Sequence, residues 1–94
     1  MTAALDLDSI LVVPPQVMSR MVGDETVLMD LSSGIYFGLD GVGKRIWESI
    51  SDGQNLGEVA AVIASEYEVD EGRAQGDVIE FAGELVERGL LTSS

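Results

Sequence analysis

A chain of 94 residues has room for one domain with one modest core, and an apolar content of 46% marks it as globular rather than disordered. Seventeen acidic side chains against five basic ones leave a net charge of −12, which opposes nucleic-acid binding, where Lys and Arg must replace counterions at phosphates. Cysteine and histidine are absent, which excludes thiol chemistry, zinc sites of the Cys/His type and imidazole catalysis.

Residues 1–15 are expected to form a flexible N-terminal arm that ends at Pro14-Pro15, because each proline fixes its own φ and restricts the residue before it. The opening MTAALDLDSI has no basic region and its apolar residues are interrupted by acids, so it does not read as a secretory signal. No apolar run reaches the roughly 18 residues of a membrane span, and a cytoplasmic location is expected.

VMSRMV (Val17–Val22) is strand-like, followed by a turn at Gly23-Asp24-Glu25 and a second strand over Thr26–Leu31. Ser32-Ser33-Gly34 makes another turn, with Gly34 free to take positive φ, and IYFGL (Ile35–Leu39) is the third strand. Short strands joined by tight turns predict an antiparallel meander.

The hydrophobic period then changes from strand to helix. Asp40 is expected to cap a helix over Gly41–Ser51 in which Val42, Ile46 and Ile50 share a face, while Ile46 and Trp47 go to the core. Asn55 with Glu58 three places on predicts a capping box for a second helix, whose apolar stripe is Leu56, Val59, Ala60, Ile63 and Tyr67. A third helix runs from Asp70 to about Arg88 and stops at Gly89. Its apolar arc is about 160° wide, more than one small sheet needs, which leaves part of the face for a partner. The predicted class is α+β, winged helix-turn-helix-like, with a three-stranded antiparallel sheet followed by three helices.

Four motifs invite a function. Gly38 to Lys44 spells most of a phosphate-binding loop, but Arg45 stands where Ser or Thr should bind Mg²⁺, and no βαβ unit surrounds it. Its glycines read better as structure: Gly38 leaves one face of the strand bare so that another backbone can approach, and Gly43 lets the helix sit close to the sheet. Lys44 and Arg45 are then a solvated face. Asp-Ser-Ile at Asp8–Ile10 resembles the phosphopantetheine serine of acyl carrier proteins, yet Ser9 lies in a terminal arm ahead of strands, so an acyl or peptidyl carrier is the alternative reading. Acidic pairs such as Glu66 with Asp70, or Glu80 with Glu84, fall at helical spacing on a solvated face, and without a nucleophile–base pair the chain is not expected to be an enzyme. A winged-helix regulatory module is the other alternative, but a third helix carrying six acids against Arg73 and Arg88 repels phosphate.

DLSSGIYFGLDGVGKRIW (Asp30–Trp47) resembles the signature of PqqD-like proteins, the precursor-peptide recognition elements of ribosomally synthesised, modified peptides. Matching positions are Asp30, Gly34, Tyr36, Phe37, Leu39, Gly43, Ile46 and Trp47, and the likeness continues through later segments to cover about residues 16–91. Asp40 stands where the family usually has Asn. Ser32-Ser33-Gly34 replaces the Pro-Glu-Gly turn of members that serve pyrroloquinoline quinone synthesis, which points to the stand-alone elements of lasso-peptide or related clusters.

The resemblance implies a leader-peptide-binding domain over residues 16–94, a monomer with no cofactor, metal, membrane or nucleic-acid partner. Its partners would be the leader segment of a precursor, laid as an added strand against the third strand beside the third helix, and a separate maturation enzyme such as a leader protease or a radical SAM enzyme. An outer strand with a free edge fits that mode. The groove residues expected are Ile35, Tyr36, Phe37, Gly38 and Leu39 from the strand, and Ala74, Asp77, Val78, Phe81, Glu84 and Leu85 from the helix. Asp77 and Glu84 would choose among leaders by charge. Whether Val78, Phe81 and Leu85 line the groove or fill the core is open at this level.

Overall fold

A computed structural model describes residues 5–93. The central sheet is a meander of β2 (Val17–Val22), β3 (Glu25–Asp30) and β4 (Ile35–Leu39), paired antiparallel in that order. Its turns are closed by Gly23 and Gly34, both at positive φ (63° and 75°), where a side chain is disfavoured. β3 begins one residue earlier than expected, because Glu25 pairs with Val22 and Asp30 already starts the next turn. There the Asp30 carboxylate accepts from the Ser32 N–H at 2.8 Å and its carbonyl accepts from the Gly34 N–H at 2.7 Å.

Alternation sorts the sheet into two faces. Val17, Thr26, Leu28 and Leu39 are buried on the inner face, with Phe37 half-buried beside them. The helices α1 (Gly41–Ser51), α2 (Leu56–Tyr67) and α3 (Glu71–Glu87) cover that face. Ile46, Trp47 and Ile50 of α1, the Leu56–Ile63 stripe of α2, and Ala74, Val78, Ala82 and Leu85 of α3 complete the core with Leu90 and Leu91. The wide apolar arc of α3 is partly used by α2, against which it packs. The Ser49 hydroxyl, also in this core, has no hydrogen-bonding protein partner.

The helix termini follow local chemistry. Asn55 and Glu58 form the expected capping box, with reciprocal bonds of 2.8 and 2.9 Å. The Asp70 carboxylate accepts from the Arg73 N–H at 3.2 Å, and Gly89 at φ 75° ends α3. Asp40 holds the N-cap position of α1, but its side chain makes no cap bond. Arg45 is not simply solvated: its guanidinium donates to both Glu66 carboxylate oxygens at 2.8 and 2.9 Å, tying α1 to α2. Those hydrogen bonds hold the Glu66 carboxyl below its usual range and raise Arg45 above its own.

The N-terminal segment departs from expectation. Residues 1–4 of the supposed arm lie outside the described residues, but the rest is not a loose tether. The carbonyls of Leu7 and Ser9 accept from the N–H groups of Gly57 and Leu56 at 2.8 and 3.0 Å. These are amides of the first turn of α2, which have no partner within the helix. Gly57 permits the approach, since a Cβ there would lie 3.1 Å from the Leu7 carbonyl oxygen. Then β1 (Leu11–Val12) pairs antiparallel with β5 (Thr92–Ser93), and Leu11 is buried in the core. The segment supplies acceptors to the first turn of α2 and, through Leu11, apolar cover to the core.

Candidate functional site: a cleft beside an edge strand

β4 is an outer strand, so one of its edges has no partner strand among the described residues. Every second residue on such an edge turns its N–H and C=O outward, ready to pair with an extended chain. Alongside runs an open cleft of about 440 Å³ between β4, the start of α1 and the middle of α3. Phe37 and Leu39 form its floor, Val42, Gly43 and Ile46 one wall, and Phe81 the other. Its charged lining groups are both acids, Asp40 and Asp77.

Gly43 sets the width of the cleft, though not as expected. A Cβ there would lie 3.2 Å from Phe81 Cζ and 3.7 Å from Leu39 Cδ2, so its missing side chain admits the Phe81 ring rather than the sheet alone. Gly38 also differs. The space above it is taken by a side chain of the same sheet, since a Cβ would meet Glu25 Oε2 at 3.2 Å. At the cleft Gly38 offers only backbone.

Of the residues expected in the groove, Phe37, Gly38, Leu39, Asp77 and Phe81 come together there. Ile35 is exposed at the end of β4, just beyond the cleft lining. Tyr36 turns its side chain to the opposite face, leaving only main chain toward the edge. Ala74, Val78 and Leu85 have no exposed surface. They occupy the inward stripe of α3 and are core, a distinction that helical spacing alone does not make. Glu84 is turned to Arg88, which donates to it at 3.2 Å and lies over the Phe37 ring, 5.0 Å from its centroid. Asp77 is 3.8 Å from Arg73 in an exposed pair of little strength, so its carboxylate stays available to a ligand.

Asp40, Val42, Ile46 and Arg88 were not anticipated in or beside the cleft. Val42 and Ile46 had a signal in their i, i+4 spacing, but it reads equally as core, and Ile46 serves both. Arg88 had none, because its contact with Phe37 joins elements far apart in sequence. The remaining motifs do not assemble. Gly38–Lys44 spans the end of an antiparallel edge strand and the start of α1, not a buried parallel strand leading into a helix. Ser9 Oγ is held within a local turn, accepting from the Asp6 N–H at 3.0 Å. Among the described residues no group of acidic side chains is arranged to hold a metal, and no helix is long and apolar enough to cross a membrane.

The chain matches the family model for coenzyme PQQ synthesis protein D (PqqD) over residues 25–91. Two solved structures resemble it. TbiB1 in complex with the TbiA(beta) leader peptide is 38% identical, with a TM-score of 0.80 over 84% of this chain and 92% of that one. A lasso peptide synthetase B1 complexed with the leader peptide is 28% identical, with a TM-score of 0.83 over 88% of this chain and 98% of that one. No curated protein matches.

Proposed function

This chain belongs to the PqqD family, and on that premise we propose that it binds the leader segment of a ribosomally made precursor peptide and presents it to a separate maturation enzyme. The observation that carries this reading is the open edge of β4 beside an apolar cleft, in a chain that resembles two solved leader-peptide complexes. The leader adds to β4 as a strand. Main-chain hydrogen bonds give affinity with little demand on sequence, and alternate side chains enter the cleft. Phe81 and Phe37 grip an apolar leader residue, while Asp40 and Asp77 favour a basic one nearby.

The protein acts as a recognition module of the lasso-peptide or a related pathway, as a cytoplasmic monomer, and the chemistry is done by a leader protease or a radical SAM enzyme. A leader of about ten residues buries roughly 1,000 Å² in total, at the small end for a specific interface. The expected dissociation constant lies in the micromolar to tens-of-nanomolar range, roughly −8 to −10 kcal/mol.

The test is an NMR titration of labelled protein with the leader of the precursor encoded beside it. Amide shifts confined to Ile35–Leu39, the start of α1 and the Asp77–Phe81 turn are expected. Saturable shifts elsewhere, with β4 silent, would refute the site.

A further inference from the structure

A strand added to β4 has two faces, and only one of them meets the cleft. Side chains alternate along β4, so Phe37 and Leu39 point to the helices, while Tyr36 and Gly38 belong to the outer face of the sheet. Gly38 leaves its place in that face bare. The gap is exposed, next to Tyr36 on the same strand and to Val27, which pairs with Gly38 in register on β3.

A single group reaches into this gap. A Cβ on Gly38 would meet Oε2 of Glu25 at 3.2 Å, and nothing else beyond its chain neighbours within 4 Å. Glu25 stands two residues before Val27 and is therefore the diagonal neighbour of Gly38, within reach of a long side chain. Its carboxylate thus lies over β4 itself, the strand whose outer edge is open. The carboxylate also lacks a counter-ion. The ion pairs among the described residues join acids to Arg45, Arg73 and Arg88, and Glu25 is in none of them. Arg20, the basic side chain of this face, stands in the row of Val27 and Gly38, two strands from the glycine, and is not paired with Glu25 either.

An added strand runs about 4.8 Å beyond β4, and its residue opposite Gly38 turns its side chain to this same outer face. A side chain at position 38 would stand between that residue and β3. Over a glycine, the residue can lean across β4 to the Glu25 carboxylate. Ser and Thr are too short to cross the strand. Lys and Arg cross it on their long stems and bring a cation.

We propose that Glu25 determines specificity for the leader by pairing with a Lys or Arg at the leader position in register with Gly38. The inference rests on the leader-binding reading above and adds the opposite face to it. Asp40 and Asp77 act on leader residues that enter the cleft, whereas Glu25 acts on the alternate set, which the cleft does not touch. Gly38 is the gap through which β3 reaches a peptide that it does not adjoin. An acid at that leader position meets a like charge across the strand and is rejected.

The experiment uses the full chain and synthetic leaders of the precursor encoded beside it, with each residue of the β4-paired segment replaced in turn by Lys and by Glu. Competition binding followed by fluorescence anisotropy gives the Lys-over-Glu affinity ratio at every position, for the parent, Glu25→Gln and Glu25→Lys. At 0.15 M salt the screening length is about 8 Å, which separates a local pair from the overall charge of the molecule. Backbone NOEs to Gly38 identify the leader residue opposite it, and urea unfolding checks that each variant is folded. At that residue the ratio is expected to fall at least threefold in Glu25→Gln and at least tenfold in Glu25→Lys, with changes below twofold elsewhere. Ratios that change equally at all positions, or in neither variant, overturn the inference and leave leader binding standing. So does a change confined to leader residues that enter the cleft, which would put Glu25 on the wrong face. Failure of the parent to bind any of the leaders overturns both readings.

Discussion

Gly43→Ala separates the stability of the domain from its grip on a peptide. Glycine inside a helix costs roughly 0.5–1 kcal/mol relative to alanine, and Gly43 lies in the first turn of α1. Against that gain stands one tight contact. The new Cβ would sit 3.2 Å from Phe81 Cζ, 0.2 Å inside the 3.4 Å at which ordinary contact begins, while Cε1 at 3.5 Å and Leu39 Cδ2 at 3.7 Å are unaffected. Phe81 is half-buried and faces the open cleft, so its ring can yield by that amount toward the space the leader would fill. Stability is expected to stay constant or rise by up to about 0.5 kcal/mol. Leader affinity is expected to fall three- to tenfold, about 1 kcal/mol, because the displaced ring narrows the cleft. Urea unfolding followed by the fluorescence of Trp47, the chain's single tryptophan and a buried one, gives the first quantity. Calorimetric titration with leader gives the second. A loss of more than 1 kcal/mol in stability would mean that Phe81 is locked in place. Unchanged leader affinity in a stably folded variant would mean that leader side chains do not enter this cleft.

Ser49→Ala removes a buried hydroxyl without a protein partner and should stabilise the domain by about 1 kcal/mol in the same urea assay. The pairing of Glu66 with Arg45 lowers the Glu66 pKa on folding, so its contribution is present at neutral pH and lost as pH falls through that depressed value. The acid limb of the stability profile should therefore flatten in Glu66→Gln, which a series of urea melts from pH 7 downward will reveal. Deleting residues 1–12 strips two acceptors from the first turn of α2 and takes Leu11 out of the core. A loss of about 3 kcal/mol or more is expected by thermal and urea unfolding, whereas a freely moving arm would leave stability unchanged.

The main elements were legible because their signals are local. A two-residue period, glycine turns, an Asn-x-x-Glu box and a glycine stop lie within a few residues of the structures they specify. What was missed depends on distant partners. β1 and β5 are two residues long, too short to carry a period, and exist because each completes the other. Asp40 has a capping residue's identity and position without its hydrogen bond, a matter of side-chain geometry that composition does not encode. On α3 the sequence identified an apolar arc, but Val78 and Phe81 look alike on a helical wheel. Only packing against α2 and α1 makes one core and the other a cleft wall. Groove and core are distinguished by tertiary placement, and the cleft was therefore only half readable.

The β1–β5 clasp has a consequence for how the domain can be wired to other polypeptides. Leu11 and Ser93 are paired across two antiparallel strands, so the segment that leads into the sheet and the segment that follows α3 lie side by side. A unit built that way behaves like a plug with both leads on the same side. It can be spliced into a surface loop of a larger enzyme without prising that loop far apart. The same recognition unit can thus serve as a free protein, an appended segment or an insertion, with the sheet and its cleft unchanged.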